Sequence, residues 1–285
     1  MSRTIEVRVS DTLWRALQER SDSSGQSIHH LVTAALAEAL DVEHHSIFQV
    51  STSGAIVQGL YQGCVTVADL RRHGDLGLGT FEDLDGEMIL IDGHCFQARS
   101  DGSIVEATDD ELTPFATVVS FIADSTESLG PVSSLDDLTS QLDGLRPSSN
   151  VISAFKITGT FDSVNLRAAC KHESGTDLVA ATADQGLFDV LDIAGTILGF
   201  WTPSYAQSIG IAGYHLHFIS DDRLHGGHLL GMSATRVIAQ MHQVNDVHLA
   251  IPETEAFLEA DFSGDTSAAL EIAERSVRRS NSDQG

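Results

Sequence analysis

The chain has 285 residues, of which 42% are hydrophobic and 20% are charged, a balance that is typical of a folded globular protein and excludes disordered and fibrous classes. The formal net charge is −25, so most of the surface repels nucleic-acid phosphates and anionic membranes. The apolar runs are far shorter than the roughly 20 residues that cross a bilayer, and charges occupy the place of a signal peptide's apolar region, so we expect a cytoplasmic location without membrane contact.

Residues 1–41 are expected to form a small strand–helix–helix module. Apolar and polar residues alternate over residues 4–9, which predicts a half-buried strand. Ser10 or Asp11 can cap the helix that follows, and Gly25 can end its last turn.

Ser27 can cap a second helix in this module. That helix carries a wide apolar stripe at three- and four-residue spacing, which needs a partner surface. The stripe consists of Ile28, Leu31, Val32, Ala35, Leu36 and Ala39.

This order of elements resembles the ribbon-helix-helix fold, in which two chains pair their N-terminal strands into a ribbon that can enter the DNA major groove. Within residues 1–40, however, four arginines are outnumbered by five acidic residues, so the basic surface of a DNA-binding protein is missing. We therefore expect a dimerisation module and no nucleic-acid binding. The alternative interpretation of the whole chain is a metabolite-sensing regulator, in which this module binds DNA and the rest of the chain is a metal-binding domain.

The main body is expected over residues 46–275, with strands and tight turns as its principal elements. A helix over 135–142, capped by Ser133 or Ser134, and a final helix over 266–279 are predicted, followed by a disordered tail at 280–285. The short apolar runs between glycines, predicted as strands and turns, contain Leu60, Val65, Val67, Leu70, Met88, Ile89, Leu90 and Ile91.

A histidine-rich segment over residues 213–228 carries the clearest chemical signal. His215 and His217 are two residues apart and leave the same face if this segment is a strand, and a turn can then bring His228 beside them. Three imidazoles with an open fourth position are typical of catalytic zinc, although a His-x-His pair can also be two ordinary polar side chains of a strand. Other histidines are predicted to be surface residues, namely His29, His30, His44, His45, His73 and His225. His94, next to Gly93 at a predicted strand end, fits either a surface residue or a metal ligand.

The body resembles the alpha-acetolactate decarboxylase family over about residues 46–275. The resemblance rests on ordered blocks that are specific as a set: Gly59–Gly63, Gly77–Phe81, Leu84–Glu87, Gly159–Phe161, Gly195–Phe200 with Thr202–Pro203, Gly213–Phe218 and Gly226–His228. It implies an α+β fold of two β-rich parts with few helices, with the metal on the C-terminal part and a glutamate brought in from the N-terminal part. It also implies a homodimer through the body, and pairing of the N-terminal strand would add a second surface that allows a higher homo-oligomer.

The resemblance implies a zinc-dependent decarboxylation of (S)-2-acetolactate to (R)-acetoin and carbon dioxide, with 2-aceto-2-hydroxybutyrate as a further candidate substrate. The zinc ligands would be His215, His217 and His228. Zn²⁺ would act as the Lewis acid, so no organic cofactor is expected.

The resemblance further assigns function to Glu87, to Arg167 and to a C-terminal glutamate, for which spacing favours Glu274 over Glu271. Arg167 would hold the substrate carboxylate or balance charge, and Glu87 or Glu274 would protonate the enediolate. Thr80 is placed near the substrate by its motif. Without the resemblance, Glu87 would be interpreted as a turn carboxylate, Arg167 as an exposed strand residue and Glu274 as a solvated helix charge.

Overall fold

The computed structural model describes residues 5–40 and 45–274. The predicted tail at 280–285 and the end of the predicted final helix lie outside these residues. The helices are α1 Asp11–Ser24, α2 Ile28–Leu40, α3 Ser53–Val57, α4 Val67–His73, α5 Leu135–Asp143, α6 Leu178–Ala181, α7 Glu255–Glu259 and α8 Ser267–Glu274. No helix of the described residues has the length and apolar character needed to span a membrane.

Strands are the principal regular elements of the body. The first nine are β1 Ser46–Val50, β2 Val65–Thr66, β3 Leu76–Thr80, β4 Glu87–Ile91, β5 His94–Ala98, β6 Ile104–Glu106, β7 Leu112–Thr113, β8 Phe115–Val119 and β9 Ser125–Leu129. The remaining six are β10 Ile152–Ala169, β11 Gln185–Thr202, β12 Gly213–Ser220, β13 Gly226–Ser233, β14 Val237–Val244 and β15 Asp246–Ala250.

These strands form two principal sheets. A seven-stranded sheet has the order β15-β1-β8-β3-β4-β5-β6, and a six-stranded sheet has the order β11-β12-β13-β10-β14-β9, with β10 also pairing with β11. Buried apolar residues from both sheets, including Leu78, Ile89, Leu198 and Phe200, form a common core cluster. The α+β class with two β-rich parts and few helices is therefore confirmed.

Helix α5 confirms the helix predicted over residues 135–142. The Ser134 hydroxyl accepts a hydrogen bond from the backbone N–H of Asp137 at the N-terminus of this helix. Leu138 and Leu142, one turn apart, are fully buried in the core cluster of the six-stranded sheet.

The strand prediction is wrong at Val67 and Leu70, which lie in helix α4. The Thr66 hydroxyl caps this helix by accepting from the N–H of Asp69, and the carboxylate of Asp69 is favourable in the first turn. A spacing of three residues puts Val67 and Leu70 on one helical face, and both are buried in a cluster with strands of the seven-stranded sheet. The capping residues favour a helix here more strongly than the apolar run, on which the strand prediction was based, favours a strand.

The two helices of the N-terminal module form with the predicted signals. Ser10 accepts from the N–H of Leu13, Gly25 ends α1 in the left-handed conformation with φ of 73°, and the Ser27 hydroxyl accepts from the N–H of His30. The predicted strand over 4–9 is not observed, because residues 5–9 are neither helix nor strand. A strand at a chain end needs a neighbouring strand to satisfy its backbone, and this one has none within the described residues.

Helix α2 contacts the body through a face other than the predicted stripe. Its buried residues are His30 and Ala37, whereas Val32 and Leu36 of the stripe are exposed. The stripe thus remains on the surface of the single chain. This arrangement neither confirms nor requires a ribbon-helix-helix dimer.

The prediction of surface location is wrong for His30 and His45, which are both buried. The reason is the docking of α2, which brings His30 against His45 with ring centroids 5.0 Å apart. Asn245 further holds His30 by donating from Nδ2 to the imidazole Nδ1 at 2.9 Å.

Gly199 on β11 allows two strands to approach at the histidine-rich segment. Its φ is 154°, and a Cβ atom there would lie 2.0 Å from the carbonyl oxygen of His215. Because that neighbour is backbone, we expect Gly199→Ala to lower the free energy of unfolding by about 3 kcal/mol. Chemical denaturation measures this, with Gly264→Ala as the control, since a Cβ at Gly264 meets nothing within 4 Å. Equal stability of the two variants would contradict the prediction.

Candidate active site

The three histidines of the segment 213–228 lie on two paired strands of the six-stranded sheet. His215 and His217 are on β12 and leave the same face, as predicted from their spacing. His228 on β13 is the direct cross-strand partner of His217. The predicted convergence is confirmed, since one ligand atom from each of the three residues lies within 4.8 Å of the others.

Arg167 continues this row on the next strand. It lies on β10 directly opposite His228, so His217, His228 and Arg167 occupy adjacent positions on three neighbouring strands. Cross-strand partners project from the same face of a sheet. The sheet register therefore brings a guanidinium beside the imidazoles, although 48 residues or more separate them along the chain.

The three imidazoles are suited to hold a divalent metal. His217 Nδ1 lies 2.8 Å from the Met88 carbonyl oxygen, which fixes Nδ1 as the protonated nitrogen and leaves the lone pair on Nε2. That Nε2 is buried and has no hydrogen-bond partner among the described residues. Such a nitrogen is costly to bury unless a ligand or ion completes it.

Burial also keeps these imidazoles neutral, which is the form that binds metals. It lowers the pKa of His215 to about 3 and the pKa values of His217 and His228 well below their usual value. The positive charge of Arg167 acts in the same direction on all three. All three are therefore unprotonated at neutral pH.

Glu87 enters the site from the other sheet. It is the first residue of β4, next to the Met88 carbonyl that holds His217, and its Oε2 lies 3.5 Å from His217 Nε2. The predicted arrangement is thus confirmed, in which the histidines come from the C-terminal part and the glutamate from the N-terminal part. Burial raises the pKa of Glu87 to about 7, against the lowering effects of Arg167 and of a backbone hydrogen bond from Ala169.

Glu274 approaches from helix α8. Its Oε2 lies 3.4 Å from His228 Nε2, and its Oε1 lies 3.8 Å from Arg167 Nη2. Arg167 Nη1 also donates to the carbonyl oxygen of Ala273 in the same helix. Burial raises the pKa of Glu274, and Arg167 opposes that shift.

A small cavity joins these groups. Thr80 lies in its wall and donates its hydroxyl proton to the Gly86 carbonyl oxygen at 2.7 Å. The other lining residues that carry the named chemistry are Glu87, Arg167, His215, His228 and Glu274. The structure therefore brings together every residue that the resemblance implied, except that it gives no description of the Glu271 side chain.

Sequence reasoning did not find the apolar part of this cavity. Ile56 of α3, Leu178 of α6 and Leu270 of α8 line it together with Phe115, and all four belong to one buried cluster. No motif marks them, because such residues are common in any core. The hydrogen bond between the Met88 carbonyl oxygen and His217 could not be predicted either, because every residue carries a backbone acceptor and the sequence does not mark which one is used.

The comparisons with known proteins agree with this architecture. The sequence model of the alpha-acetolactate decarboxylase family matches residues 47–264 of this chain. The chain is 35% identical over 241 residues to the alpha-acetolactate decarboxylase of Bacillus licheniformis, which covers 84% of this chain and 95% of that protein. It is 35% identical over 255 residues to that of Methanosarcina mazei, covering 89% of this chain and 87% of the relative.

A solved structure is also similar. The crystal structure of alpha-acetolactate decarboxylase from Bacillus subtilis strain 168 superimposes with a TM-score of 0.78 at 32% identity, covering 81% of this chain and 100% of the other. The matched family region begins at residue 47, so the module of α1 and α2 lies before it. The fold, the ordered motifs and the long alignments together establish that this chain belongs to the alpha-acetolactate decarboxylase family.

Proposed function

We propose that the protein decarboxylates (S)-2-acetolactate to (R)-acetoin and carbon dioxide with a zinc ion held by His215, His217 and His228. One observation carries the proposal: three neutral imidazoles, two largely buried carboxyl groups and one buried guanidinium line or flank a single small cavity. Nitrogen donors from three histidines favour zinc among divalent metals. When bound there, the ion supplies a Lewis acid that stabilises the negative charge developing on the substrate oxygens.

Arg167 is the group suited to hold the substrate carboxylate. Its Nε is buried and has no hydrogen-bond partner among the described residues, while Nη1 is occupied by the Ala273 carbonyl. A guanidinium offers five N–H donors in a planar fork that matches a carboxylate. Orienting the carboxylate in this way would position the bond that breaks when carbon dioxide leaves.

Loss of carbon dioxide leaves an electron pair in an enediolate, which must take up one proton at carbon to become acetoin. Glu87 is the better donor of the two glutamates. Burial raises its pKa to about 7, so a carboxylic acid is present near neutral pH, whereas Glu274 faces the guanidinium of Arg167 and serves as its counter-ion. The carboxylate of Glu87 would regain its proton from solvent after each turnover.

Thr80 would contribute by position. Because its hydroxyl proton is donated to Gly86, its oxygen can only accept a hydrogen bond from the substrate. The hydroxyl group of acetolactate offers such a proton.

The direct test is acetoin formation from racemic acetolactate by the metal-loaded protein, with zinc measured in the same sample. We expect acetoin, carbon dioxide and consumption of the (S) enantiomer. Protein that holds zinc but releases no carbon dioxide would overturn the proposed reaction. The homo-oligomer, the cytoplasmic location and the wider substrate range stay predictions.

We expect Glu87→Gln to lower kcat about 100-fold, because an amide cannot deliver the proton at the site. The acetoin still formed should have a lower excess of the (R) enantiomer, since the proton then comes from water. Chiral gas chromatography and steady-state kinetics measure the two effects. Glu127→Gln, which changes an exposed residue of β9, is the control, and an unchanged kcat in Glu87→Gln would assign the donor elsewhere.

A further inference from the structure

A second group of metal-ligating side chains lies where the N-terminal module meets the body. It consists of His29, His45 and Asp124, called here the junction cluster. One ligand atom from each lies within 4.8 Å of the others, and His29 Nε2 is 3.7 Å from Asp124 Oδ1. The cluster shares no residue with the active site: His29 lies in helix α2, His45 directly precedes β1 and Asp124 directly precedes β9.

The chain holds two of these side chains through the backbone of one residue, Gln243. His45 Nδ1 lies 2.7 Å from the Gln243 carbonyl oxygen, so Nδ1 carries the proton and the lone pair is on Nε2. The N–H of Gln243 donates to Asp124 Oδ2 at 2.7 Å, which leaves Oδ1 on the side of His29. Outer hydrogen bonds of this kind orient imidazole and carboxylate ligands for a metal.

The third side chain comes from helix α2. The side chain of His29 is 58% exposed and that of Asp124 is 21% exposed, so an ion can reach the cluster from solvent. His45 itself is buried. The set therefore combines a buried nitrogen, a positioned carboxylate and an accessible nitrogen from a separate element.

We propose that the junction cluster is a second divalent-metal site, which binds Zn²⁺ or a similar transition metal through His29, His45 and Asp124 and fixes helix α2 to the body. Two imidazoles and one carboxylate are ligands that zinc takes in proteins, with water able to fill a fourth position. The ion would also neutralise the carboxylate in a chain of strongly negative charge.

The test is a zinc titration of the metal-free, full-length protein against a chromophoric chelator. We expect about two equivalents of Zn²⁺ to bind to the wild-type chain and about one to His29→Ala, with acetolactate decarboxylation unchanged. His94→Ala is the matched control, because His94 is also an exposed histidine that contacts a carboxylate, at 2.7 Å from Glu106, and it should bind as the wild type does. Wild type with only the active-site ion, or His29→Ala with two ions, would overturn the proposal.

A conservative variant separates metal binding from a purely structural role of Asp124. Asp124→Asn keeps an oxygen that can accept from the Gln243 N–H, but it removes the negative charge, so we expect zinc affinity at the junction to fall at least about tenfold. Hydrogen exchange of helix α2 gives a second readout, because zinc should slow it in wild type and leave it unchanged in His29→Ala. If zinc did not slow the hydrogen exchange of helix α2 in the wild type, the proposed metal site at the junction cluster would be contradicted.

The two zinc proposals can fail separately. His217→Ala removes one active-site ligand and leaves the junction cluster intact, so this variant should retain about one equivalent of Zn²⁺. A His217→Ala protein without zinc would overturn the junction site. Wild-type protein that binds two ions but forms no acetoin would uphold it and overturn the proposed reaction.

Discussion

His217→Ala should lose both the active-site zinc and decarboxylase activity, with kcat/KM at least about 1,000-fold below wild type. His217 lies between the other two ligands: it shares strand β12 with His215 and pairs across the sheet with His228. Its Nδ1 is also fixed by the Met88 carbonyl of the opposite sheet, which leaves Nε2 as the nitrogen that can bind the metal. Acetoin formation and metal content measured on the same samples check this result.

His225→Ala is the matched control for this variant. His225 lies between the same two strands, one residue before β13, and it is half-buried, but it is outside the group of three converging histidines. It should retain the active-site zinc and full activity. Loss of activity in both variants, or intact activity in His217→Ala with as much zinc as in the wild type, would reject the three-histidine site.

Local patterns in the sequence were sufficient to predict that the three histidines converge. A spacing of two on a strand puts His215 and His217 on one face for any sheet, and the turn before Gly226 brings the chain back. Helix α5 followed from its cap and its spacing in the same way. These predictions succeed because they depend on neighbours in the chain and on backbone geometry alone.

Predictions that depend on distant contacts were less successful. His30 and His45 have polar neighbours in the sequence, which suggested exposure, yet both are buried, His30 against Asn245 and His45 against His242. The approach of Glu87 to His217 likewise depends on how two sheets pack, and only the resemblance to the family anticipated it. The apolar stripe of α2 shows the converse, since amphipathic spacing indicates that a surface is apolar and does not identify what covers it.

Arg167→Met should reduce both stability and activity, because the guanidinium is the positive group that faces two largely buried carboxyl groups. Arg167 is 5% exposed, lies 3.8 Å from Glu274 and shifts the pKa of Glu87 downward. Removing one partner of a buried pair leaves the other charge uncompensated, so we expect the free energy of unfolding to fall by about 3 kcal/mol. We expect kcat/KM to fall about 1,000-fold, because the substrate carboxylate loses its partner.

Arg167→Lys distinguishes the two roles of this side chain. Lysine restores the positive charge beside Glu274 but presents a single ammonium in place of the planar fork. If Arg167 orients the substrate carboxylate, Arg167→Lys should recover most of the stability while kcat/KM stays low. Denaturant unfolding and steady-state kinetics on both variants, with the exposed Arg236→Met as the control, give the comparison. Recovery of activity in step with stability would show that charge balance alone is what Arg167 supplies, and the carboxylate would then have to be held elsewhere in the cavity.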